Sequence, residues 1–320
     1  MQRYDTAIVQ GMLPLRKKTS LPARLWKYRS LFLMVLPGLV LLLLFNYGSM
    51  YGLVIAFKDY RIGEGIWGSK WVGLKYFTDL FANRDALTAL KNTIVISLLR
   101  LVWGFPMPIL LALLLNEIGR RFFKRIVQTV SYLPHFISWI IISGMVINML
   151  SPNTGIINYF IQAFGGKPVY FMTDPRWFRS ILIATNIWKE VGWGSVLFLA
   201  ALSNVEAEQY EAAVVDGATR FQRAIYISIP AMIPIISICL ILSMGSIMNA
   251  GFDQIFNMYN TMVYSVTDII DTYVYRTGMV DMSYSFSTAV GLFKSVVGLI
   301  LMLIVNTVTR NIGDRDAGLF

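Results

Sequence analysis

Four charged residues lie deep inside long apolar stretches of this 320-residue sequence: Arg100, the adjacent pair Lys189 and Glu190, and Lys294. A charge at the centre of a bilayer is costly, so such residues mark solute or ion pathways. Three of the four are cationic, an excess of +2 that favours an anionic solute and repels cations. Lys91 lies close enough to the end of its stretch to extend its amine to the interface, and it is set aside. The single histidine, His135, follows Pro134 and reads as a satisfied interior residue, not a proton relay. One histidine excludes a His-rich metal site, and one cysteine, Cys239, excludes an internal disulfide or thiolate cluster. No metal site and no catalytic set is expected. Gly166-Lys167 runs into Pro168, so no phosphate-binding Gly-x-x-x-x-Gly-Lys-Ser/Thr loop exists. There is also no Gly-x-Ser-x-Gly elbow and no His-Glu-x-x-His.

The elements that hold these charges follow from composition. The chain is 56% hydrophobic and 14% charged, too apolar for one water-soluble core and too apolar for disorder. A helix needs about 20 apolar residues to cross a bilayer. Six stretches qualify: Leu31–Ile55, Ala89–Leu115, Ile126–Leu150, Ser180–Leu202, Pro230–Ala250 and Ser285–Val308. The run from Trp103 to Pro108 should kink the second, and Pro134 and Pro37 should bend the third and first more mildly. The first stretch is too long for a cleaved signal and reads as a retained anchor. With the N-terminus inside, cytoplasmic segments hold 15 Lys and Arg in 79 residues, against 9 in 96 outside. That asymmetry puts both termini in the cytoplasm, and it explains the +10 net charge without nucleic acid. The strongest markers are Arg16-Lys17-Lys18 and the run Arg120–Arg125. The expected organisation is a cytoplasmic segment 1–30, a six-span domain 31–308 and a cytoplasmic tail 309–320. Tyr60, Trp67, Trp71, Tyr76, Tyr170 and Trp177 of the outer loops suit the interfacial belt, in contact with lipid.

The longest cytoplasmic loop, 203–229, carries two helix-start signals. Ser203 with Glu206 and Thr219 with Gln222 both have capping-box spacing. Gly217 sits between them, where a first short helix would need a residue tolerant of positive φ. The expected unit is a short helix, a glycine corner, a second short helix, and then Pro230 opening the next span. Its acids (Glu208, Glu211, Asp216), small residues (Ala212, Ala213, Ala218) and Phe221 suit docking into a groove of a cytoplasmic partner. An ordinary amphipathic connector on the membrane would explain the same residues.

The spacing carries more. Glu211-Ala212-Ala213, three residues, Gly217, nine residues, Ile227, one residue, then Ile229-Pro230 resembles the EAA motif of permease subunits of bacterial type I ABC importers. Only Ile229, in place of Leu, departs from it. The segments Trp103–Glu117, Ser131–Ile137, Ser151–Ile157, Trp188–Gly194 and Phe286–Leu292 extend the resemblance to the carbohydrate-uptake branch. Within it the chain looks most like the polysaccharide-transport permeases, alginate importers among them. The resemblance implies an all-α, six-span membrane fold with cytoplasmic coupling helices, in the bacterial inner membrane. It implies that Glu211, Ala212, Ala213, Asp216, Gly217, Ala218, Phe221, Ile227 and Pro230 form the contact with an ABC ATPase dimer. ATP and Mg would be used there and not by this chain. A second permease subunit, forming a heterodimer, and an extracytoplasmic solute-binding protein are the other implied partners.

For a saccharide, aromatic platforms and amides complement the mid-membrane charges. Asn186, Trp188, Trp193 and Asn249 join Arg100, Lys189 and Lys294 as the candidate cavity, although packing accounts for such residues as readily. The cationic excess tilts the expectation to an acidic oligo- or polysaccharide over a neutral one. An ion-driven secondary carrier would need a titrating carboxylate, for which only Glu190 qualifies, and no inverted repeat is visible.

Overall fold

The structure, a computed structural model, describes Trp26 and residues 28–312. The Arg16-Lys17-Lys18 marker and residues 313–320 of the tail lie outside the described residues. The chain forms two compact units, Met1–Leu53 and Val54–Phe320. The first contains most of the Arg29–Phe57 helix, 29 residues long. No residue of its Arg29–Leu42 portion is buried, and Pro37 sits inside without breaking it. An all-round apolar helix of that kind suits lipid.

Three further helices of the second unit are long and apolar enough to cross a membrane: Arg84–Asn116, Arg220–Gly245 and Tyr284–Thr307. Arg121–Phe136 and Trp139–Met149 make one further crossing if counted together, but they meet at 102°. The mild bend expected at Pro134 is therefore a full break. A 3-10 turn over Leu133–Phe136 ends the first half, and Ser138 caps the second. Pro175–Ser203 is 29 residues long, about 43 Å at helical rise, and carries Lys189 and Glu190 mid-way.

The kink expected at Trp103–Pro108 takes another form. The Arg84–Asn116 helix stays continuous and widens into a π turn over Arg100–Gly104, just ahead of Pro106. Phe105 N–H reaches back to the Arg100 carbonyl at 3.2 Å. A wider turn relieves the clash between a proline ring and the carbonyl four residues earlier. The same device precedes Pro230, where a π turn over Ala224–Ser228 runs straight into Ile229–Gly245. Pro230 thus does not open that helix, which begins at Arg220.

Packing within the second unit alternates apolar and polar levels. Ile96, Phe178, Leu182, Ala250 and Ile255 form one buried cluster. Ala112, Phe198, Leu202 and Met232 form another, further along the same helices. Arg100, Asn186 and Glu190 fall between the two clusters in sequence along the helices, so the polar level is a built feature. Close helix approach depends on Gly192, where an added Cβ would fall on the Ser131 carbonyl. Overpacking of that kind typically costs about 1–3 kcal/mol. Gly192→Ala is therefore expected to lower the thermal midpoint in detergent by several degrees, read by a dye-based melt. An unchanged midpoint would refute the close contact.

Outside the long helices, a hairpin pairs Lys58–Asp59 with Lys70–Trp71. The Tyr76 hydroxyl donates to Asp59 at 2.7 Å, and Tyr60 N–H donates to Ser285 Oγ at 2.9 Å. Burial first, then the carboxylate, pushes the Tyr76 hydroxyl up to about 12, and the Tyr76 hydrogen bond lowers the Asp59 carboxyl. A lowered carboxylate contributes above its unfolded pKa and is lost only as pH falls through the lower folded value, so this tie is intact at neutral pH.

Candidate functional site

Arg100 leaves its helix at the π turn and lies against Gly251, where an added Cβ would meet the guanidinium. Gly251 has φ +89°, so the backbone itself favours glycine there. Arg100 Nη2 donates to Gln254 Oε1. Gln254 in turn donates to the Leu182 carbonyl at 2.8 Å and to Thr185 Oγ1 at 2.7 Å. This chain of bonds fixes the guanidinium while its buried Nε, and the nearby Ser97 Oγ, have no partner among the described residues. Both residues line a cavity of about 240 Å³ with Asn186, Glu190, Ser246 and Asn249. A second cavity of about 600 Å³ also touches Asn249 and is lined by Phe252, Asp271, Tyr275, Tyr284 and Lys294. Asn249 stands between the two, in the unwound segment after Gly245.

The structure thus brings Arg100, Asn186 and Asn249 together and separates the others. Lys189 is buried, and its ammonium donates to the carbonyls of Pro134, His135 and Ile137 at 3.3, 2.5 and 2.8 Å. It caps the broken helix, where carbonyls freed by the bend concentrate partial negative charge. Lys294 is paired with Asp271 at 2.5 Å. With Lys294 paired to Asp271 the excess of positive charge expected from the sequence falls by one, and Arg100 shares its cavity with Glu190. Glu190 also meets His135 Nδ1 at 2.8 Å, and the His135 ring stacks on Trp193 at 4.8 Å. His135 is thus partnered, with 29% of its side chain exposed. Trp188 is half exposed and lines neither cavity.

Sequence reasoning missed Gln254 and Asp271. Neither carries a local signal, since Gln254 reaches Arg100 across 154 residues and Asp271 reaches Lys294 across 23, from the short helix Ile270–Tyr275.

On the opposite side, Ala207–Val215 and Arg220–Arg223 flank a corner at Gly217, φ +79°. Ala218 N–H donates to the Ala213 carbonyl at 2.8 Å, and Gly217 N–H to Val214 at 3.0 Å, closing the first helix in a Schellman arrangement. Thr219 and Gln222 form the capping box. The box expected between Ser203 and Glu206 does not form. Ser203 Oγ bonds back to Ala200 instead, and Glu206 occupies the cap position without a side-chain bond. Glu211, Ala212, Asp216, Gly217 and Phe221 are exposed, Ala213, Ala218 and Ile227 partly so, and Pro230 is exposed. Phe221 keeps 74% of its surface open and Val215 87%, a large apolar area beside two acids.

Residues 104–314 match the family described as the inner membrane component of binding-protein-dependent transport systems. The chain belongs to that family. It is a multi-pass inner-membrane permease of a carbohydrate-uptake ABC importer and not itself an enzyme. Protein LplB of Bacillus subtilis (strain 168) is 46% identical over 304 residues, 95% of each chain. The polygalacturonan/rhamnogalacturonan transport system permease protein YteP of the same strain is 43% identical over 93% of each. A crystal structure of a bacterial ABC transporter that imports the acidic polysaccharide alginate superposes with a TM-score of 0.86 at 40% identity, covering 92% of this permease and 99% of that chain. A second structure of a bacterial alginate transporter, in complex with an alginate pentasaccharide-bound periplasmic protein, gives 0.85 at 40% identity over 92% and 98%.

Proposed function

We propose that this permease imports an acidic oligosaccharide of the uronate class, and that Arg100 is the group that meets its carboxylate. The observation that carries this reading is the guanidinium of Arg100, fixed by Gln254 at the wall of the cavity, with a buried Nε that has no partner among the described residues. An arginine held in a low-dielectric site with an unused donor is the group suited to a carboxylate. Asn186 and Asn249 offer amides to hydroxyls, and Glu190 accepts from them. Alginate and polygalacturonan, named for two of the relatives, are both polyuronates.

In this reading the chain crosses the inner membrane six times with both termini in the cytoplasm. A second, related permease subunit completes the pore, and an extracytoplasmic binding protein delivers the solute. An ABC ATPase dimer binds the loop around Gly217 through Glu211, Ala212, Ala213, Asp216, Ala218 and Phe221, with Ile227 and Pro230 leading into the membrane. ATP and Mg belong to that dimer. Its closure moves the loop, and the cavity opens alternately to each side.

The test uses the whole complex in proteoliposomes, with its binding protein, and compares tetragalacturonate with maltotetraose. ATP-dependent uptake of the uronate alone supports the proposal. Equal uptake of both would favour a neutral oligosaccharide, a reading helped by the neutralised Lys294 and by Glu190 opposite Arg100. Uptake that survives ATP depletion with an ion gradient intact would point to a secondary carrier.

A further inference from the structure

The cytoplasmic end of the Arg84–Asn116 helix is tied to the loop around Gly217 at several points. Glu117, the residue that caps this helix, lies 3.5 Å from Arg223 Nη2 and 3.8 Å from Arg220 Nε. Asn116 Nδ2 reaches the Tyr210 hydroxyl at 3.5 Å, and that hydroxyl bonds Ser228 Oγ at 2.9 Å. Tyr210 stands on the first helix of the loop, while Arg220, Arg223 and Ser228 stand on the second and its continuation. The contacts join residues 94 and 106 apart in sequence, so they do not arise from chain neighbourhood.

Glu117 is also the wrong charge for its place. A carboxylate at a helix C-terminus is disfavoured by the helix dipole, and cations are the usual occupants. Basic residues from Arg120 to Arg125 follow it closely, yet the carboxylate takes Arg220 and Arg223 of the loop. Arg223 has 17% of its side chain exposed, and its Nε has no partner among the described residues. At these separations the ion pairs are loose, suited to breaking and re-forming, and not to holding a core together.

The helix so tied is the one that carries Arg100, about 25 Å away along the axis at helical rise. We propose that Glu117, Tyr210 and Arg223 form a latch through which movement of the loop is passed to the Arg84–Asn116 helix, and so to Arg100, as well as to the Arg220–Gly245 helix. They are positioning residues for transport, distant from the solute. This inference rests on the reading that the loop docks an ATPase.

The experiment purifies the full complex with Glu117→Gln, Arg223→Gln, Tyr210→Phe and the exchange Glu117→Arg with Arg223→Glu. Uptake and ATP hydrolysis are measured together in proteoliposomes. The latch predicts ATP turnover within about twofold of wild type and uptake per ATP lowered about fivefold or more in the single variants. The exchange restores the ratio to within about twofold. A purely structural role would lower assembly and both rates in proportion, leaving uptake per ATP unchanged, and that result overturns the latch. If Glu117→Gln fails to assemble, Tyr210→Phe, which keeps the ring and loses only the hydroxyl, decides by the same ratio. A wild-type preparation that carries no ATPase would instead sink the coupling reading itself.

Discussion

Gly217→Val is expected to lower ATP-driven uptake by more than about tenfold at unchanged membrane levels, while Gly217→Asn keeps most of it. The argument is conformational. An added Cβ at Gly217 would meet nothing within 4 Å, so space is not the obstacle. The obstacle is φ +79°, a left-handed backbone that costs an L-residue roughly 1–2 kcal/mol and that β-branched residues resist most. Asparagine tolerates the region. A penalty of that size leaves helices buried in a membrane folded, but it can be relieved locally by opening the corner. Opening would break the bonds from Ala218 to Ala213 and from Gly217 to Val214, which set the angle between the two loop helices. Glu211 and Phe221, on opposite arms of the corner, would then no longer present one surface. Initial uptake rates beside quantitative immunoblots check this. Normal transport by Gly217→Val would show that the corner geometry is dispensable.

The second large effect is at Arg100. Arg100→Gln is expected to raise the half-saturating concentration for tetragalacturonate on the order of tenfold to a hundredfold, with little change for a neutral tetrasaccharide if one is transported at all. A hydrogen bond to a charged group contributes about 1.5–3 kcal/mol, which sets that range. Arg100→Lys should rescue poorly, because the compact ammonium is a point charge without the planar fork that holds Gln254 Oε1 and presents further donors in a fixed direction. Losing the arginine also strips Gln254 of a partner. Gln254→Leu therefore serves as the comparison, since it loosens Arg100 without removing the charge. An equal loss for acidic and neutral solutes at Arg100→Gln would mark the residue as a structural tie.

Much of this was legible in the residues, and the limits have a physical pattern. The long apolar runs around Arg100 and Lys294 and the glycine corner between two short helices depend on local rules, namely length, hydropathy and backbone preference. The Thr219–Gln222 cap is local too, and it formed. Its neighbour at Ser203 did not, because Ser203 is still the last residue of the long Pro175–Ser203 helix and its hydroxyl was used inside that helix. The 102° break near Pro134 was read as mild because proline alone bends a helix modestly. What sustains the full break is Lys189, 52 to 55 residues away, satisfying three carbonyls at once. The charge surplus is reduced for the same reason. Counting cations within the long apolar stretches leaves out Asp271, on the short helix Ile270–Tyr275, which pairs with Lys294. Pairings across long sequence separations leave no local mark, and they decide which charges in the cavity remain free.

The uninterrupted Arg220–Gly245 helix turns the protein into a machine with a long arm. Its 26 residues span about 39 Å at helical rise, with the Gly217 corner just before one end and Asn249 just beyond the other. A rod pivoting near its Arg220 end by only about 10° would sweep its far end through roughly 7 Å, by plain trigonometry on that length. That sweep exceeds the width of a water molecule and approaches that of a sugar ring. Asn249, which lines both cavities, sits where that arc is widest, so a small rotation at the Arg220 end would become a sugar-sized displacement at the other.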